Sequence, residues 1–184
     1  CLPSALGYHG VDHRKTCLSW RVHLLPELGY ADLYSQFHLD EPWDSEHNKT
    51  LIERMPQVFK SPGVKSSKPG MTTYQTVMGK DMLFESNGGK VAIRDVTDGT
   101  SNTVMAIDAS AEYETIWTKP GDLMPDLAKM RTALEERFQN GGLVLMTDGS
   151  VRQLRDGIDD VMLMNLFVRN DGMPLGEIFE DEFA

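Results

Sequence analysis

The stretch Gly141–Leu154, GGLVLMTDGSVRQL, decides the reading of the fold. Two short strand-like runs flank Asp148-Gly149, a dipeptide that accepts positive φ at both centres of a type I′ turn, so a β-hairpin is predicted here. Working outward, NTVMAIDA (102–109) alternates well enough for a half-buried strand, and MTTYQTVM (71–78) is β-prone, with Tyr74 and Val77 in the strand. Helix-prone sequence comes earlier. LSWRVHLLPELGYADLYSQF (18–37) offers Trp20, Leu24, Leu28 and Leu33 as core positions, with Pro26 expected to bend or break the helix and Gly29 to stop it. A second helix over HNKTLIERM (47–55) can be capped by Asp44 or Ser45. Leu51, Ile52 and Met55 form its stripe and Pro56 ends it. Residues 119–137 read as a loop and then a polar helix. Helices first, strands later and no βαβ rhythm indicate an α+β fold with an antiparallel sheet.

After the hairpin, Asp156 can cap a helix through DGIDDVMLMNLFVRN (156–170), whose apolar residues run most of the way round. Such a helix is buried on several sides or lies at an interface. Val161, Met164 and Phe167 are the interface candidates. The tail, GEIFEDEFA (176–184), is acidic.

Composition narrows the function. Over 184 residues, 28 acidic against 18 basic side chains give a net charge of −10. That balance argues against nucleic acid as the main partner and against an anionic membrane surface. No apolar run is long enough to span a bilayer. The chain opens with Cys1-Leu2-Pro3, without a methionine, and is expected to be a processed or truncated product. Cys1 and Cys17 are either unrelated thiols or a disulfide closing the segment between them.

Motifs of catalysis are missing: GxSxG, the Walker loop, HExxH, GxGxxG and CxxC. No nucleophile or oxyanion site accompanies the paired carboxylates, so no enzyme is expected and no cofactor is required. Asp95, Asp98, Asn102 and Asp108 supply oxygen ligands that could hold Ca²⁺. The plainer reading gives TDGTSNT (97–103) Asx and ST turns that bond local backbone. Asn48-Lys49-Thr50 fits a glycosylation sequon. His9 and His13 are four apart, but Gly10 between them disfavours a helical metal pair.

Residues 18–63, DVTDGTSNTVMAIDA (95–109), WTKPGDL (117–123) and NGGLVLMTDGSVRQL (140–154) closely resemble a large paralogous family typical of planctomycete bacteria, the domain of unknown function 1559. The resemblance runs through about residues 2–173 as one domain, with 1–17 a lead-in loop and 174–184 the tail. That family is similar to prepilins. Its members usually begin with a cleavage segment and a hydrophobic helix, and end in His-x9-Asp-Gly. Here Asp148-Gly149 supplies the Asp-Gly, and Phe138 stands where the His is common, which puts a metal or catalytic role for that position in doubt.

The resemblance implies a pilin-like headgroup without its N-terminal hydrophobic helix, exported to the periplasm, cell surface or outside. Export favours the Cys1–Cys17 disulfide. Two functions are expected from it. One is a pseudopilin-like assembly subunit whose partners are other protein subunits and whose membrane contact is only through the missing helix. The other is a solute- or calcium-binding module, since one family label associates these proteins with solute binding.

Overall fold

The computed structural model describes residues 17–62, 64–85, 91–135, 142–173 and 178–179. The fold is α+β, with two antiparallel sheets and short helices. Strand β1 (Met71–Thr72) pairs with β4 (Thr115–Ile116), while β2 (Tyr74–Gln75), β3 (Val104–Asp108), β5 (Leu143–Met146) and β6 (Val151–Gln153) form a second sheet in the order β2-β3-β5-β6. MTTYQTVM is therefore divided between two sheets. Thr73 sits at the changeover, and its carbonyl accepts from the Ala109 amide just past β3.

Strand β3 is central, and buried over most of its length rather than alternating. A register shift between Val104 and Ala106 places Val104 and Ile107 in the same core, which two residues three apart in a regular strand could not share. Strand β5 keeps the alternation, with Val144 and Met146 inward. Helix α3 (Leu127–Glu135) and helix α4 (Asp160–Asn165) contribute Met130, Ala133, Leu134 and Leu163 to that core.

The N-terminal half wraps a second core around Trp117. Helix α1 (Trp20–His23) and helix α2 (Ala31–Tyr34) are separated where Pro26 and Gly29 interrupt the sequence, and Gly29 takes φ +84°. Trp20 and Leu33 are buried as expected, but Leu28 is exposed and Leu25, not Leu24, is fully buried. Instead of a second α-helix, residues Asn48–Arg54 form a 3₁₀ helix with Leu51 buried. The Ser45 hydroxyl accepts from the Asn48 amide, as a cap would. Trp117 stacks on Phe59, meets Phe37 edge-on and donates from its indole to the Ile52 carbonyl at 2.8 Å.

The hairpin exists, but its turn is not type I′. Neither Thr147 nor Asp148 has positive φ, whereas Gly149 does, at +88°. The Gly149 amide donates to Met146 O and the Met146 amide to Ser150 O. This is the three-residue loop in which a type I turn is followed by a left-handed glycine bulge. An Asp-Gly pair suits both turns, and the strand frame, set by Leu145 facing Val151, selects the longer one.

Helix α4 is shorter than its apolar run. Asp159 caps it by accepting from the Val161 and Met162 amides, while Asp156 accepts from the neighbouring Gly157 amide. Of the three interface candidates, Phe167 is 3% exposed and belongs to the main core, and Met164 packs against that core. Val161 alone of the three is largely exposed. Much of the apolar surface is turned inward, where Leu163, Leu166 and Phe167 share the main core with Val104, Ile107, Val144 and Met146.

Candidate functional site

The four calcium candidates do not converge. Asp95 accepts from the Ala92 amide and serves as a local cap. Asp98 accepts from the Asp171 and Gly172 amides at 2.7 and 2.9 Å, and Asn102 donates to the Asp98 carbonyl. Asp108 is buried at the end of β3, where it accepts from the Ser61 and Thr73 hydroxyls, each at 2.6 Å. Among the described residues no group of three or more His, Cys, Asp or Glu stands where it could hold a metal ion. The carboxylates are occupied by protein donors, the turn chemistry that short Asp and Asn side chains favour.

Asn48 is fully buried and its amide donates to the carbonyls of His38, Glu41 and Pro42. A glycan cannot be attached there. The acid-rich segment 38–48 is thus built around an asparagine rather than a cation. His38 and His47 stack with ring centroids 3.6 Å apart, and His38 Nδ1 lies 2.9 Å from Glu41. The Ser45 hydroxyl, and then His38, hold the Glu41 carboxyl below its usual range. Cys17 is half-buried against the Trp117 core. Cys1, His9, His13 and Phe138 lie outside the described residues.

Two features were not anticipated from sequence. The first is a buried ion pair. Arg21 Nη2 lies 2.9 Å from Asp122 Oδ2, with the side chains 0% and 1% exposed. The same guanidinium donates to Ser19 Oγ and to the Tyr74 carbonyl, and it lies over the Trp20 ring. Asp122 Oδ2 also accepts from Trp20 Nε1 and from the amide and hydroxyl of Thr76. Burial lowers the Arg21 pKa and Asp122 opposes that shift. No sequence signal marks such an arginine, since Arg is seldom fully buried.

The second feature is an open cleft of about 720 Å³ beside β1, lined by Glu53, Met55, Lys60, Val64, Lys65, Ser66, Lys68 and Met71 among others. Lys60, Lys65 and Lys68 have no carboxylate of a described residue within ion-pair distance, whereas Lys49, Lys80 and Lys129 each do. Here a signal was present: no acidic residue occurs between Glu53 and Asp81, in a chain that carries 28 of them. The cleft can hold negative charge over a partly apolar floor.

Comparison with known proteins gives one family. The family model described as a protein of unknown function (DUF1559) matches residues 3–62 and 55–137. No curated protein matches the chain. No solved structure matches it either.

Proposed function

The chain belongs to the DUF1559 family, and on that premise we propose that it acts without catalysis, as an exported, pseudopilin-like structural subunit of a bacterial envelope or extracellular assembly. The observation that supports this reading is the way residues 18–22, near the start of the described chain, are fastened to the body. Leu18, Ser19, Arg21 and Val22 are all buried. The Ser19 amide donates to Thr118 O, and Arg21 ties the segment to Asp122 and to β2. A headgroup that transmits force from a preceding stalk to its neighbours needs such a fixed attachment. Arg21 breaks only at the cost of leaving a charge buried and unpaired.

In this reading the partners are other protein subunits in the periplasm or at the cell surface, and no cofactor takes part. Nucleic acid is not a partner, in keeping with the charge of −10. Membrane contact, in this reading, comes through a hydrophobic helix of the kind the prepilin resemblance implies; no helix among the described residues is long and apolar enough to cross a bilayer. Electron microscopy and native mass spectrometry of the protein isolated from its own envelope test the proposal. Ordered or stoichiometric multimers are expected, and a monomer in every fraction would overturn it.

A second reading, a solute-binding module, draws on the cleft beside β1. Its calcium version has no support from the carboxylate geometry. Calorimetry against small sugars and organic acids tests the solute version, which heats of binding would favour over assembly.

A further inference from the structure

We propose that the cleft beside β1 receives the acidic segment Glu180-Asp181-Glu182-Phe183 of a second copy, joining successive molecules head to tail. This inference rests on the assembly reading above and names its contact. The cleft carries Lys60, Lys65 and Lys68, all exposed and without a carboxylate partner among the described residues. Lysines read charge rather than shape, because an ammonium on a flexible stem lacks the planar fork of arginine. The same cleft is lined by the apolar side chains of Met55, Val64, Pro69 and Met71. A small solute needs a few fixed polar groups to orient it. The polar side chains here are Lys, Ser, Gln and Glu53 in an open groove, which suits a polypeptide with several carboxylates and one apolar anchor.

The chain contains such a segment. Residues 180–182 are three consecutive acids and Phe183 follows. The residues just before them are committed to their own body. Ile178 is 2% exposed in the main core, its carbonyl accepts from the Arg155 amide, and Phe179 bridges to Leu154. Phe179, the last described residue, thus lies beside β6, one edge of the four-stranded sheet, while the cleft opens beside β1, which runs into β2 at the other edge. A donor at one edge and an acceptor at the other is the geometry of a heterologous contact, which builds chains of copies rather than closed pairs.

The test uses the full chain, Lys60→Glu/Lys65→Glu/Lys68→Glu, and a chain ending at Phe179, with a fluorescent peptide of residues 180–184 as probe. The substitutions fall on exposed side chains, and the truncation leaves Ile178 and Phe179 in place. The peptide is expected to bind the wild-type cleft, at least about tenfold more weakly to the triple variant, and more weakly as salt rises. Sedimentation is expected to show concentration-dependent association of the full chain that both variants lose. If the full chain associates and the variants associate equally, the assembly reading stands and the cleft contact falls. If the full chain is monomeric throughout, both fall. Peptide bound only by the truncated chain would place the segment in its own cleft, and displacement by citrate or phosphate without peptide binding would make the cleft a small-anion site. Either result overturns the proposal.

Discussion

The Asp122 carboxylate lies 2.9 Å from Arg21 Nη2 and, through the same oxygen, 2.9 Å from the Trp20 indole nitrogen and the Thr76 amide. One buried anion therefore ties the first helix to the residues that follow β2. The charge on each partner is tolerated because the other neutralises it and because nearly every donor finds an acceptor. Asp122→Ala leaves the guanidinium buried without its counter-charge and is expected to destabilise the fold by about 3–5 kcal/mol. Urea denaturation measures this. Replacing both partners, Arg21→Met with Asp122→Leu, should recover most of the loss, since an apolar pair removes both desolvation costs. A double variant no better than Asp122→Ala would show that the hydrogen bonds to Tyr74 and Thr76 dominate instead.

The Asp98 carboxylate latches the turn at 98–102 to the strand-free segment at 171–173, through the Asp171 and Gly172 amides. Asp98→Ala should cost about 1 kcal/mol, the worth of a partly exposed charge-assisted pair of bonds. Thermal melts with and without calcium should show the same loss. A calcium-dependent rise in melting temperature that the variant abolishes would restore the ion-binding reading.

Asp148 lies in the loop of the hairpin, where the hydroxyl and then the amide of Ser150 hold its carboxyl below the usual range. A lowered folded-state pKa means that the carboxylate contributes stability above its unfolded pKa. That contribution is lost as pH falls through the folded value. Ser150→Ala should therefore lower stability at neutral pH, and the difference from wild type should fade on acidification below about pH 4. Equal differences at all pH values would assign the effect to the hydroxyl's other contacts. Gly149→Ala, by contrast, meets no atom within 4 Å and should cost about 1 kcal/mol from its φ of +88° alone, at any pH.

What could be read from the chain follows from how local the cause is. Pro26 and Gly29 interrupt the first helix because their effects are confined to their own backbone. The hairpin over 143–153 was legible for the same reason. Its turn type was not, because Asp-Gly fits two loops and cross-strand register chooses between them. The division of 71–78 between two sheets depends on Thr73 meeting Ala109, and the burial of Arg21 depends on Asp122, both far along the chain. Helix α4 left two readings open for a related reason: residues apolar on several sides suit burial or an interface, and Leu163, Leu166 and Phe167 take their places in the main core through partners far along the chain. The acid-free run from Glu53 to Asp81 was visible in the sequence. Charge patterning, read beside hydrophobic patterning, would have pointed to the cleft.

Gly70 joins the cleft to the core. It lines the groove, its carbonyl accepts from the Trp117 amide, and its φ is +78°. A Cβ there would stand 2.5 Å from Ile52 Cγ2 and 2.6 Å from the Ile52 carbonyl oxygen. The side-chain carbon could move, but the carbonyl is held by the Trp117 indole. Gly70→Ala therefore adds a steric clash to an unfavourable φ and is expected to cost about 3 kcal/mol or more, well above the cost at Gly149. Denaturation midpoints of the two alanine variants, measured together, check the ordering. Because the strain falls on the segment that carries Lys65 and Lys68, Gly70→Ala should also weaken peptide binding in the cleft, while Gly149→Ala should leave it unchanged. Equal stabilities for the two variants would mean that the 3₁₀ helix yields freely, and that Ile52 does not anchor the cleft wall.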